Sequence, residues 1–203
     1  MTRAAEAWGD RPLFIVGGGP SLRGRDLSSL RSRGRVLGVN RAAEFWPVDA
    51  TFSQDIVFMD KHRSLLEAGI ARGEEVYLAV AEGYAGRLIE GAVYFTRSEA
   101  GQGKPGDLVN GKHSGHGALQ LALRRGARDI TLLGYDLHPV TSEEPAHWYD
   151  GPRDETTMIY FARWANAVDA LAAELPPGVV VRNANPNSAV TAFPLISYEE
   201  VGL

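Results

Sequence analysis

The chain has 203 residues, 44% of them hydrophobic and 23% charged, which is ordinary material for one domain with a substantial core. Its formal net charge of −4 argues against a dedicated nucleic-acid binder, which would show a basic stripe. The absence of cysteine excludes disulfides, thiolate metal sites and cysteine catalysis.

No stretch approaches the roughly 18 consecutive apolar residues that would span a bilayer. The start, MTRAAEAWGD, lacks the apolar centre of a signal peptide, so the expectation is a cytoplasmic protein without a membrane span. Short runs rich in Val, Ile and Leu predict strands. In chain order they are PLFIVG (12–17), RVLGVN (35–40), DATFSQD (49–55), EEVYLAV (74–80), AVYFTR (92–97), DITLLGYD (129–136) and GVVVRNAN (178–185). Several are apolar at consecutive positions, the pattern of parallel strands covered on both faces. Longer stretches between them predict helices at about 25–33, 56–72, 82–90, 115–126 and 156–174.

Strands alternating with helices predict an α/β fold: a single Rossmann-like domain over 1–203, with a doubly wound, mostly parallel sheet. Two segments, 98–114 and 137–157, are too long for simple turns. The second reads as a short lid-like loop, with disorder or an oligomer contact as alternatives.

Ligands of such sheets bind beyond the carboxyl ends of the strands. There the sequence collects Gly17, Gly18, Gly19, Pro20 and Ser21, then Asn40 and Arg41, then Gln54 and Asp55, then Asp136 to His138, and last Asn183 to Ser188. A glycine loop lets backbone approach a phosphate, and a following helix would aim its first N–H groups at the anion. Ser21 would cap that helix or donate its hydroxyl. The Walker pattern is missing, and G-x-G-x-x-G is met only at Gly17 and Gly19. A tight turn is the competing reading.

Four motifs taken together are more specific. GGGPSL, then GVNRA, then HSGHGALQLALRRGARDITLLGYDL, and finally NPNS span most of the chain. In this order they resemble the bacterial sialyltransferases of the family-42 glycosyltransferases. They are also similar to the wider group that holds motility accessory factors and archaeal-type 6-hydroxymethylpterin pyrophosphokinases.

The sialyltransferase resemblance implies contacts to a CMP-sugar from Gly18, Gly19, Pro20, Ser21 and Asn40. It implies that Ser114 and Gly115 meet phosphate or ribose at a helix start, and that Asn187 and Ser188 match the asparagine–serine pair of the donor site. The general base in the lid of those enzymes corresponds to His147, with Asp150 as a rival. Histidine suits that task because its ordinary pKa lies near neutrality. The chain also departs from the family: His138 stands where a tyrosine is expected, and Tyr149 is the nearest stand-in for a second one.

The resemblance therefore implies a glycosyltransferase-like enzyme with a nucleotide-sugar donor, a CMP-sugar first, an unknown acceptor and no required metal or cofactor. One alternative is pyrophosphoryl transfer from ATP to a small alcohol such as a pterin, with Mg²⁺ on Asp55 or Asp136. Against it, Val39-Asn40-Arg41 has no carboxylate where such enzymes are expected to carry one, and both aspartates have an ordinary role as caps. Another is a non-catalytic nucleotide-binding or assembly protein. His113, His116 and His138 permit zinc by spacing alone, without an H-E-x-x-H signature. Arg23 and Arg25 could steer an anionic donor. Tyr160, Phe161 and Trp164 form a stripe that predicts core or a dimer face, hence a homo-oligomer as one option.

Overall fold

The computed structural model describes residues 8–9, 11–97, 113–138, 147–148 and 158–203. Seven strands form one sheet: β1 (Leu13–Val16), β2 (Arg35–Val39), β3 (Ala50–Ser53), β4 (Glu75–Ala81), β5 (Val93–Arg97), β6 (Asp129–Leu133) and β7 (Val180–Asn183). Their order is β5-β4-β3-β2-β1-β6-β7, and every pair is parallel. The expected doubly wound, Rossmann-like architecture is present, with no antiparallel strand among the described residues.

Parallel pairing requires crossovers that cover both faces, which is why the central strands β1, β2, β3 and β6 are buried on nearly every residue. In β1 the two-residue alternation sends Leu13 and Ile15 into one core and Phe14 and Val16 into the other. The first core is closed by α5 (Ser114–Arg124) and α6 (Met158–Ala170), through Leu119, Leu121, Ala165 and Val168. The second is closed by Leu22, Leu27 and Leu30 and by Tyr198 and Val201 of the short helix Tyr198–Val201. Burying one such leucine or phenylalanine contributes about 1.5–3 kcal/mol.

The helices differ more from expectation than the strands do. The stretch 56–72 is two helices, α3 (Ile56–Lys61) and α4 (Arg63–Ala71), broken at His62, whose ring stacks on Phe58. Of 25–33 only Leu30–Arg33 (α1) is helical, because the Asp26 carboxylate accepts from Ser28 N and closes a local turn instead. Ala42–Phe45 forms a further short helix, α2, and Tyr198–Val201 is α7.

The predicted helix at 82–90 is absent. Gly83 lies at a φ of +75°, and Arg63 donates to the carbonyls of Arg87 and Leu88, tying the segment to the start of α4. Among the described residues no helix is long and apolar enough to cross a membrane.

Candidate functional site

Strand β1 hands the chain to β2 on one side, while β6 lies on its other side, so the sheet's topological switch falls between β1 and β6. Here the glycine loop meets the end of β6. Gly17 N donates to Leu133 O at 2.7 Å and Gly19 N to Gly134 O at 2.8 Å. Gly19 has to be glycine, since a Cβ there would strike the Asp136 carboxylate and come within 2.6 Å of Gly134 O.

The Asp136 carboxylate organises the joint. It accepts from Ser21 N at 3.1 Å, Ser21 Oγ at 2.8 Å and Asn185 Nδ2 at 2.9 Å. It is 4% exposed, and burial pushes its carboxyl above the ordinary value despite the hydrogen bonds from Ser21. Ser21 Oγ also pairs with the Tyr198 hydroxyl at 2.7 Å. The segment after β7 is drawn in as well: Ser188 Oγ donates to Tyr135 O at 2.5 Å, and Asn187 N donates to Asn185 Oδ1 at 3.0 Å.

This changes the reading of the glycine loop. The chain continues from it into a single 3-10 turn, Pro20–Leu22, and not into the helix expected from sequence. With Gly17, Gly19 and Ser21 N–H groups already used and Pro20 lacking one, Gly18 N is the loop amide left for a ligand among the described residues. The helix terminus at this edge belongs to α5 instead.

Above the joint lies a cavity of about 420 Å³, within the range of ligand pockets. The Gly17–Pro20 backbone, Asn40, Asp55, His138 and His147 line it, together with Ser114 and Gly115 at the start of α5. Asn40 adopts φ +52°, and its Oδ1 accepts from Ser53 Oγ at 2.8 Å. Ser114 Oγ accepts from Gln54 N at 3.3 Å. His113 caps α5 by accepting from Gly115 N on Nδ1 at 3.1 Å. Burial, with His116 adding repulsion, pushes its pKa down to about 3, so the ring is neutral at physiological pH. Tyr135 is fixed by donating to Gly115 O at 2.9 Å, and burial raises its pKa far above the ordinary range.

His147 reaches the cavity because the next residue is anchored. Trp148 N donates to Gly18 O at 3.1 Å, and its indole packs 4.3 Å from Phe45 and 4.6 Å from Trp46 between ring centroids. Asp150 and Tyr149, like most of the lid-like segment 137–157, lie outside the described residues.

The predicted site residues thus divide. Gly18, Gly19, Pro20, Asn40, Ser114, Gly115, His138 and His147 converge on one cavity. Ser21, Asn187 and Ser188 do not line it: Asn187 is exposed, and the Ser21 and Ser188 hydroxyls bind other parts of the chain. The aspartates offered for Mg²⁺ do not form a fitting set. Asp136 is spent on Ser21 and Asn185, and Asp55 accepts from Phe58 N at 3.2 Å to cap α3. Among the described residues, no three His, Cys, Asp or Glu side chains are grouped to hold a metal ion.

Sequence reasoning missed Arg97 and the aromatic wall. Phe161 and Trp164 of the α6 stripe line the cavity, whereas Tyr160 of the same stripe is 49% exposed. Arg97 was findable, since it ends a predicted strand.

No family model and no curated protein matches the chain. A solved structure does: the MAf glycosyltransferase from Magnetospirillum magneticum AMB-1, with a TM-score of 0.62 at 17% sequence identity. The likeness covers 97% of this chain, which spans 35% of that protein's chain. At this identity the two share a fold.

Proposed function

We propose that the chain is a glycosyltransferase-like enzyme that takes a nucleotide-sugar donor, a CMP-sugar first, and passes the sugar to an acceptor hydroxyl without a metal. The observation that carries the reading is the convergence of the glycine loop, Asn40, the start of α5, His138 and His147 on one cavity at the switch point. The fold likeness to a MAf glycosyltransferase supports the same class, in line with the resemblance of the motifs to the group that includes motility accessory factors.

In this mechanism the acceptor oxygen attacks the anomeric carbon and His147 takes its proton. The carbon–oxygen bond to phosphate breaks, and its electron pair leaves with the phosphate. The positive end of α5 and Gly18 N–H would stabilise that charge.

The test has two stages. Thermal shifts with CMP, CDP, CTP, UDP, GDP and ATP, each with and without Mg²⁺, should show metal-independent stabilisation by cytidine nucleotides. Saturation at 100 times the dissociation constant adds about 2.7 kcal/mol. CMP-sugar turnover should then fall about 10²- to 10⁴-fold in His147→Ala, with donor binding retained. Stabilisation by ATP with Mg²⁺ alone would move the reading to pyrophosphoryl transfer. Full turnover in the variant would remove His147 as the base.

A further inference from the structure

One charged side chain in the cavity has no role in the reaction proposed above. Arg97 ends β5, pairs in register with Ala81, and turns its half-buried side chain into the same cavity from the far side of the sheet. Its one hydrogen bond among the described residues runs from Nη1 to Gln54 O at 3.5 Å, the weak limit of such a contact. Its Nε is enclosed and has no acceptor among the described residues.

Among the described residues Arg97 forms no ion pair. The two aspartates on the cavity wall are committed, Asp136 to Ser21 and Asn185, and Asp55 to the first turn of α3. Arginine cannot shed its charge by losing a proton. A half-buried guanidinium whose enclosed Nε has no acceptor among the described residues offers its donors to a ligand, and its planar fork matches phosphate and carboxylate. His113 does not supply an alternative cation, since its Nδ1 accepts from Gly115 N.

The glycine loop is a separate locus. Gln54 follows β3, and β3 lies two strand spacings from β1, or about 10 Å. We propose that Arg97 is a further anion-binding residue of this cavity, its guanidinium taking a phosphate or carboxylate of the ligand. The choice of ligand rests on the nucleotide-sugar reading, whereas the unpartnered Nε of Arg97 does not.

The test compares the wild-type chain with Arg97→Gln and Arg97→Lys, using cytidine, CMP, CMP-N-acetylneuraminate and inorganic pyrophosphate as probes. Affinity is read by calorimetric titration, and stability without ligand by thermal melting. Arg97→Gln should melt at or above the wild-type temperature, because it removes a cation that forms no ion pair among the described residues; a merely structural arginine would lower it.

Anionic probes should bind about 10- to 100-fold more weakly to Arg97→Gln. Cytidine affinity should be unchanged, and Arg97→Lys should recover part of the loss. Weakening already seen with CMP assigns the anion to phosphate; weakening confined to CMP-N-acetylneuraminate assigns it to the sugar carboxylate. Arg97-dependent binding of pyrophosphate without binding of any cytidine compound would keep the anion site and overturn the nucleotide-sugar reading. The anion site itself falls if the wild type binds no anionic probe, if Arg97→Gln binds them all as tightly, or if cytidine affinity drops equally.

Discussion

His113 does two jobs with one ring. Its Nδ1 accepts from Gly115 N, satisfying a first-turn amide of α5, and its enclosure requires the ring to stay neutral. The folded pKa of about 3 lies below the ordinary value near 6.5, so the unfolded chain binds the proton first as pH falls. The stabilisation is present above about pH 6.5 and is lost toward pH 3, at up to about 1.4 kcal/mol per pH unit. Asp136 runs the other way, since a raised carboxyl stabilises at low pH and that contribution is lost as pH rises through its folded value. A variant separates the two. Urea unfolding at pH 7.5 and pH 5 should show the wild type losing about 1–2 kcal/mol, and His113→Asn, which keeps a capping acceptor, losing clearly less. Equal losses would mean that the ring is not the source. At this scale the sequence revealed which residues follow strand ends, hence Asn40 and His138, while the resemblance of its motifs pointed to Ser114 and Gly115 at a helix start. It could not reveal that the Ser21 and Ser188 hydroxyls bind within the chain or that Asn187 stays outside the cavity, because those partners are brought near only by folding.

At the scale of elements, the seven strands were legible because their runs are short and rich in apolar residues, several of them at consecutive positions, as a sheet covered on both faces requires. Helices were less so. A periodic pattern cannot register that Arg63 takes the carbonyls of 87 and 88, or that Asp26 closes a turn before α1 can start. The glycine loop was legible as a loop and misread in its exit, since the chain leaves it through a 3-10 turn. Its function as a joint between β1 and β6 leads to a prediction. In Gly19→Ala the new methyl has no space beside the Asp136 carboxylate and Gly134 O. Denaturant unfolding should show a loss of about 1–3 kcal/mol from overpacking. Gly73→Ala, where nothing lies within 4 Å but φ is +87°, isolates the cost of backbone strain alone. If Gly19→Ala costs no more than that control, the β1–β6 contact is looser than its hydrogen bonds imply.

For the molecule as a whole, the arrangement of the two cores decides how it should unfold. Leu13 and Ile15 belong to one core and Phe14 and Val16 to the other, so β1 cannot release one face while holding the other. The same sharing holds at β6, where Leu132 and Leu133 point to opposite sides. Tryptophans mark the two faces: Trp8 is buried in the first core beside Tyr77, and Trp46 packs on the second beside Trp148. Two variants, one retaining only Trp8 and one only Trp46, report each face by fluorescence, with far-UV circular dichroism following the whole. Within each variant the fluorescence and dichroism curves in urea should share one midpoint, as expected of a single cooperative unit. A ligand bound in the cavity should then move both fluorescence midpoints together, because the walls of the site follow β1, β2, β3 and β6 or belong to β5, α5 and α6, elements that draw on both cores. Separate midpoints would mean that the shared strands do not couple the faces. In that case ligand stabilisation would register mainly at the face that carries α5.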